Sequence, residues 1–508
     1  MPAKSVIDMV ITIWSSRSSK EERVLRRAEF IRRIVCVLSA GVMIHAVPCA
    51  AQTPPSGQSQ PAQPAPAPTP SSPLAIHVGD ADLLIGGFMD AMVVSRSTNT
   101  GNGIATNFGA IPFQFTNTGA LNPAGNLSET RFSAQNSRIS LQATSKWGSM
   151  ALKGYLEVDF LGNTSTNLNV TSNSNGLRMR LYWAQVTDGK FEFLAGQSWS
   201  MMTPNRQGIS PVPGDVFFSQ NVDTNYQAGL IWARTPGFRF LYHASPAVTA
   251  GVGLENPEQY VGSAVVLPAL FPANQTIVDT GASNLSSSSP VPNRFPDFIG
   301  KAAFDPKLGK THQHIDAAFL VRSYRTINAT TNTKYGKTGT AGSINAALEV
   351  IPGLKVVLMN YFSDGSGRYI ANTNIPDFIV NADGSMTTVS SWSGIYGAEE
   401  TWKKSLIYGY YSQTHADQKT ALDANGTTVI GFGVPNSQGA NKKVEESTFG
   451  VTQTLFRDPK IGGLQLMVQY SHVKRTVFSS PQALPTGTPP GNVAKTNMFY
   501  FNFRYLLP

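Results

Sequence analysis

Residues 152–160 alternate without a break. Leu152, Gly154, Leu156, Val158 and Phe160 fall on one side, and Lys153, Tyr155, Glu157 and Asp159 fall on the other. A period of two belongs to an extended strand whose two faces meet different surroundings. The pattern returns at residues 177–183, where Leu177, Met179, Leu181 and Trp183 alternate with Arg178, Arg180 and Tyr182. Phe191, Phe193 and Ala195 form the next apolar face. Phe238, Phe240 and Tyr242 alternate with Arg239, Leu241 and His243, and Phe499, Phe501, Phe503 and Tyr505 with Tyr500, Asn502 and Arg504. Such strands build an antiparallel sheet, either a soluble sandwich or a closed barrel, and alternation alone does not separate the two.

The connections do more. Tight links at residues 145–148, Asp188-Gly189, Thr235-Pro236-Gly237, Pro352-Gly353 and residues 458–462 join alternating runs. Long polar stretches at residues 97–129, 197–225, 246–295 and 363–392 lie between them. Short turns on one side and long loops on the other are the habit of transmembrane β-barrels. Sixteen candidate strands begin near residues 82, 130, 149, 176, 190, 226, 237, 296, 313, 340, 354, 393, 404, 444, 463 and 495. The even number returns the chain to its starting side. The fold expected is all-β, a 16-stranded antiparallel transmembrane β-barrel with a constriction loop folded into the lumen, wide enough to hold water. Lipid offers the backbone no hydrogen bonds, so the sheet has to close and carry its charges inward.

Composition narrows the class further. Charged residues are only 14% of the 508, while aromatics are 10% and Gly numbers 45, which disfavours a helical cytosolic enzyme, a coiled coil and a disordered chain. The net charge of +9 overstates the basicity of the folded part. Residues 1–51 hold eight Lys and Arg against four Asp and Glu, so +4 belongs to them and +5 to the rest, too little and too scattered to imply nucleic acid. Within that stretch Arg26, Arg27, Arg32 and Arg33 precede an apolar run at residues 34–47 and the small residues Cys49-Ala50-Ala51, which reads as a signal peptide with an extended leader. Both cysteines, Cys36 and Cys49, lie inside it, so the exported chain has none. Residues 52–73 form a Pro-rich linker, and residues 74–508 the barrel. These features place the chain in the bacterial outer membrane after signal-peptide-dependent export, in contact with outer-membrane lipid and the barrel-assembly machinery.

Four segments carry a family resemblance. They are Asn136-Ser137-Arg138-Ile139-Ser140-Leu141, Gly154-Tyr155-Leu156-Glu157-Val158-Asp159-Phe160, Leu177-Arg178-Met179-Arg180 and Leu194-Ala195-Gly196-Gln197-Ser198-Trp199-Ser200. In this order they resemble the DcaP-like outer-membrane porins, with the match concentrated in residues 130–240. The resemblance implies a sixteen-stranded homotrimeric diffusion channel biased toward small anions such as dicarboxylates. Two departures stand out. A Pro-rich segment replaces the helical N-terminal extension of some members, and Tyr505 is followed by Leu506-Leu507-Pro508 where barrels often end on an aromatic residue.

Residues 197–225 make the third long loop, whose Trp199, Met201, Met202, Pro204, Pro211, Pro213, Phe217 and Phe218 are too apolar for an exposed position. An inward-packed constriction loop would offer the pore Arg206, Asp215 and Asp223. Strand parity places Arg138, Lys153, Arg178, Arg180, Arg239, Arg322 and Arg504 on the inner wall, with Glu157, Asp159 and Glu192. Two readings of that wall stay open. The cations set up a field favouring small anionic solutes, or Arg178 and Arg180 pair with Glu157 and Asp159 across neighbouring strands and leave no net selectivity.

Catalysis finds no support, because no nucleophile elbow or related motif occurs. His312 and His314 could share a strand face, but no Cys or third ligand sits near them, so neither a metal nor a cofactor is expected. A TonB-dependent receptor would need a plug domain where only the Pro-rich linker stands. The rival from another class is a secreted or periplasmic all-β binding protein, which would bury its apolar faces.

Overall fold

The computed structural model describes residues 72–508 apart from 101–102, 163–168, 170–172, 213–219, 223–225, 270–292, 329 and 480–490. Among them sixteen antiparallel strands close into a barrel. They are β1 (Ala81–Arg96), β2 (Arg138–Trp147), β3 (Met150–Asp159), β4 (Arg178–Asp188), β5 (Phe191–Trp199), β6 (Arg234–Ser245), β7 (Val248–Glu255) and β8 (Asp297–Phe304). The second half comprises β9 (Thr311–Asn328), β10 (Thr333–Ile351), β11 (Leu354–Asp364), β12 (Ser390–Trp402), β13 (Ser405–Ala416), β14 (Asn441–Asp458), β15 (Gly462–Val477) and β16 (Val493–Leu506). Each pairs with the next, and β16 pairs with β1 from Phe88↔Leu506 to Arg96↔Met498, so no edge is left for lipid to solvate. A short strand, Glu129–Ser133, extends the β2 side of β1 beyond a kink. Gly87 makes that kink possible: its φ is +128°, and a Cβ there would stand 2.2 Å from the Arg138 carbonyl oxygen.

The two faces of the wall have opposite chemistry. Outward stand Phe191, Phe193, Phe238, Phe240, Tyr242, Phe298, Phe319, Phe499, Phe501 and Phe503, all exposed. Inward stand Asp90, Glu157, Asp159, Arg180, Arg239, Lys301, Asp316, Arg322, Glu399 and Asn502, all buried. The apolar belt therefore points away from the axis, the reverse of a sandwich.

Three details differ from the sequence reading. No strand begins at residue 226: Tyr226 and Leu230 are buried in a loop inside the barrel, and Thr235-Pro236-Gly237 is no turn but part of β6. Pro236 is tolerated because it lies beyond the last residue of β7, where its carbonyl accepts from Asn256 N–H (2.9 Å) and a missing donor costs little. In compensation β7 lies inside the segment expected to be a loop from residue 246. Its run Thr-Ala-Gly-Val-Gly hides a strand whose glycines face crowded ground: a Cβ on Gly253 would lie 2.6 Å from Met201 Sδ, and one on Gly251 2.2 Å from a Leu241 methyl. The two errors cancel, and the count of sixteen stands.

The third difference is a bulge. The β3–β4 register shifts between Glu157 and Val158, so Arg180 and its neighbour Leu181 both turn inward. Beyond it Trp183 is buried and Tyr182 is exposed, opposite to strict alternation. A bulge adds one residue to one strand and reverses the faces downstream.

Candidate functional site

The described parts of the loop between β5 and β6, residues 200–212, 220–222 and 226–233, enter the lumen. Its near end is tied to the β7–β9 wall. Met201 N–H donates to Glu255 (2.7 Å) and Asn205 N–H to Asp316 (3.0 Å), while Lys301 donates to the Thr203 carbonyl and the Asn205 side chain (both 2.8 Å). Arg206 then reaches across to β12, where both terminal nitrogens donate to Glu399 at 2.8 Å, and Tyr410 donates to the same carboxylate at 2.7 Å. Burial pulls the Arg206 guanidinium down, but Glu399 beside it outweighs that effect and holds it above its ordinary value. Farther along, Val222 N–H donates to Gln469 (2.7 Å), Ala228 N–H to Glu446 (2.6 Å), and Ser393 to the Gly229 carbonyl (2.6 Å). The loop is thus a bridge fixed at both walls.

Over the β9–β13 side it packs with residues 365–389. Leu230, Ile231, Ile370, Ile375, Phe378, Ile379, Val380 and Phe432 form one apolar cluster inside the barrel. Arg322 lies under this cluster with no exposed side-chain surface, paired with Asp297 (2.9 Å) and Asp377 (3.0 Å). It clamps a loop and lines no water, a correction to its expected place in the pore wall. The cause is the inward turn of residues 365–389, which parity along β9 does not encode.

The opposite wall is different. Arg138, Glu157, Asp159, Arg178 and Arg180 come together where β2, β3 and β4 adjoin. Arg178 binds Asp159 through two nitrogens (3.0 and 2.6 Å), and Arg180 bridges Glu157 (2.5 Å) and Asp159 (2.9 Å). Arg138 donates to the Tyr226 hydroxyl of the loop at 3.3 Å. Arg178 keeps 36% of its side chain exposed, and toward the short-turn end Gln142, Thr144, Lys153, Tyr155 and Gln185 are also partly exposed. Water therefore reaches this wall.

Arg239, by contrast, is buried and spends its donors on Ser198 (2.7 Å) and the Trp199 carbonyl, so it fixes the root of the loop. Asp215 and Asp223 lie outside the described residues. Arg504 pairs with Asp90 at 3.1 Å.

Arg234, at the start of β6, was missed. It stacks over Trp199 at 5.7 Å, as Arg180 does, and its Nη1 has no hydrogen-bond partner. It lies within electrostatic reach of Arg178 and Arg180. Reading a strand from residue 226 and a turn at Pro236 concealed its position. Counting it, Arg138, Arg178, Arg180 and Arg234 gather around Glu157 and Asp159 among the described residues. Trp199 and Trp232, 4.7 Å apart, with Tyr226 edge-on to Trp232, form an aromatic shelf beneath the cluster.

No protein-family model matches the sequence, and no curated protein matches it. Among solved structures, the outer membrane channel DcaP of Acinetobacter baumannii superposes with a TM-score of 0.57 at 17% identity, covering 84% of this chain and 97% of that one. The fold is the porin barrel. The anion-selective porin from Comamonas acidovorans (TM-score 0.46, 10% identity, covering 84% and 99%) and OprB of Pseudomonas putida (0.44, 10%, 83% and 94%) superpose too distantly to add to this. Of the four segments that suggested the resemblance, three overlap β2, β3 and β5 of the barrel, and Leu177-Arg178-Met179-Arg180 leads into β4.

Proposed function

We propose that this chain is an outer-membrane diffusion channel for small hydrophilic solutes, with a preference for anions such as dicarboxylates. It is exported by the leader in residues 1–51, inserted by the barrel-assembly machinery, joined to linker 52–73 and assembled as a homotrimer. One observation carries the reading: inside a sealed barrel with an apolar outer belt, a polar inner wall reaches water beside a cluster of arginines, of which Arg178 keeps 36% of its side chain exposed. Interleaved cations and carboxylates on a low-dielectric wall focus the field at the waist, where the crossing loop narrows the lumen. A passing carboxylate meets guanidinium groups able to bind it bidentately, yet Glu157 and Asp159 compete for the same donors and keep its stay short. The proposed mechanism has no bond-making step.

Purified protein in a planar bilayer is expected to give stepwise ohmic conductance, with reversal potentials in a salt gradient of the sign for anion preference. Replacing Arg178 and Arg180 together by Gln removes two cations from the cluster and should weaken that preference. An unchanged reversal potential would move selectivity elsewhere; no steps from correctly folded barrel would refute the channel.

A further inference from the structure

The outer rim of the barrel carries a charge pattern that the pore does not use. On the long-loop end of β14, β15 and β16, Lys443, Glu445, Lys474 and Lys495 stand on the outward face, in line with Phe449, Tyr470 and Phe499 of the apolar belt. Lys474 pairs across the sheet with Lys495 on one side and with Glu445 on the other. Like charges directly opposite destabilise a sheet unless something between them carries the opposite sign. Glu445 supplies part of it, at 2.9 Å from Lys443 and 3.6 Å from Lys474, but one carboxylate serves two lysines. Lys495 is exposed and takes part in no ion pair among the described residues. Nor do β15, β16 and the segment joining them hold a counter-ion, since no Asp or Glu occurs in residues 459–508. Lys443 and Lys474 therefore share one carboxylate, and Lys495 beside them has none among the described residues.

Depth identifies the occupant. Lys474 lies four residues beyond Tyr470, and Lys495 four before Phe499. At ~3.3 Å per residue and a strand tilt of ~40°, both ammonium groups stand about 10 Å outside the top of the aromatic belt, at headgroup level. His472, bonded to Asn497 at 2.8 Å, and Tyr470, bonded to the same oxygen at 2.9 Å, fill the step between. We infer that the β14–β16 rim binds the phosphate-bearing headgroup of an outer-leaflet lipid, with Lys474 and Lys495 gripping the phosphate and the belt below receiving the acyl chains. This rests on the barrel lying in the outer membrane with its long loops outward.

The test uses the full mature protein in neutral detergent, titrated with bis-phosphorylated lipid A and with the same lipid stripped of phosphate, with bound lipid counted by native mass spectrometry. The phosphorylated lipid should bind tightly, the stripped lipid poorly, and added salt should weaken the difference. Replacing Lys474 and Lys495 together by Gln should weaken binding about tenfold or more, while Glu445→Gln should tighten it. That tightening is a result no folding defect could mimic. Equal binding of the two lipids, an unaffected double variant, or complete displacement by inorganic phosphate alone would each overturn the proposal. Conductance steps in zwitterionic bilayers, recorded on the same preparations, report on the channel separately. Steps without lipid discrimination would defeat the rim site alone, and lipid discrimination without steps would defeat the channel alone.

Discussion

Two walls of one barrel behave differently. On β2–β4 the inward residues Gln142, Thr144, Lys153, Tyr155 and Arg178 keep contact with water, whereas on β9–β13 Arg322, Met359, Tyr361, Ile395 and Tyr408 are sealed. Both walls carry inward polar groups, as any barrel wall with a lipid-facing outer side does. What separates them is the loops. The described parts of loop 200–233 and residues 365–389 pack against β9–β13 and exclude water there, which leaves the arginine-bearing wall as the wet one. Inward charge marks a conduit only where no loop covers it; beneath a loop the same charge becomes a clamp.

The largest expected effect comes from breaking the bridge between the walls. Glu399→Ala removes the carboxylate that accepts from both terminal nitrogens of Arg206 and from Tyr410 in a mostly buried site, where loss of one member of an ion pair costs ~3–5 kcal/mol. Loop 200–233 should then swing, with larger and noisier single-channel currents and new protease cuts within it. Unchanged currents would mean that the bridge does not set the waist. Phe378→Ala, a fully buried site in the apolar cluster, should cost ~3–5 kcal/mol and lower the temperature of heat modification on gels, with little change in ion preference.

Arg234→Gln should act on the other wall alone. It removes one cation of the cluster without breaking a hydrogen bond to a carboxylate, so anion preference should drop by less than in the Arg178 and Arg180 double variant while stability stays near that of the parent. A large loss of stability would show Arg234 to be a structural clamp like Arg322. Smallest of all, Lys153→Gln on the partly exposed wall should change stability by no more than ~0.5 kcal/mol, read from the same gels, with a slight shift in reversal potential.

Much of the fold was legible because lipid outside and polar groups inside force a period of two on nearly every strand. Reading failed where a local rule yielded to packing at a distance. Glycines in β7 look like loop until Met201 and Leu241 are seen against them. The bulge at Arg180 and Leu181 leaves no trace in composition, yet it turns Trp183 inward. The crossing loop declared itself through Trp199, Met201 and Met202, all buried as its apolar content required. Its anchors Glu255, Lys301, Asp316, Glu399 and Glu446 were not read as anchors, because each meets a backbone or side-chain partner far away in the chain. At the site, Arg138, Glu157, Asp159, Arg178 and Arg180 followed from parity, while Arg322 kept its parity and lost its role to a loop.

The absence of cysteine after residue 51 permits a direct comparison of the walls. Lys153→Cys on β3 and Met359→Cys on β11 give single thiols, each on an inward face. A charged, water-soluble methanethiosulfonate reagent applied during bilayer recording should react rapidly at position 153 and reduce the current, and should leave position 359 and its current untouched. Rapid block at 359 with none at 153 would place the passage along the other wall and contradict a conduit on the arginine side.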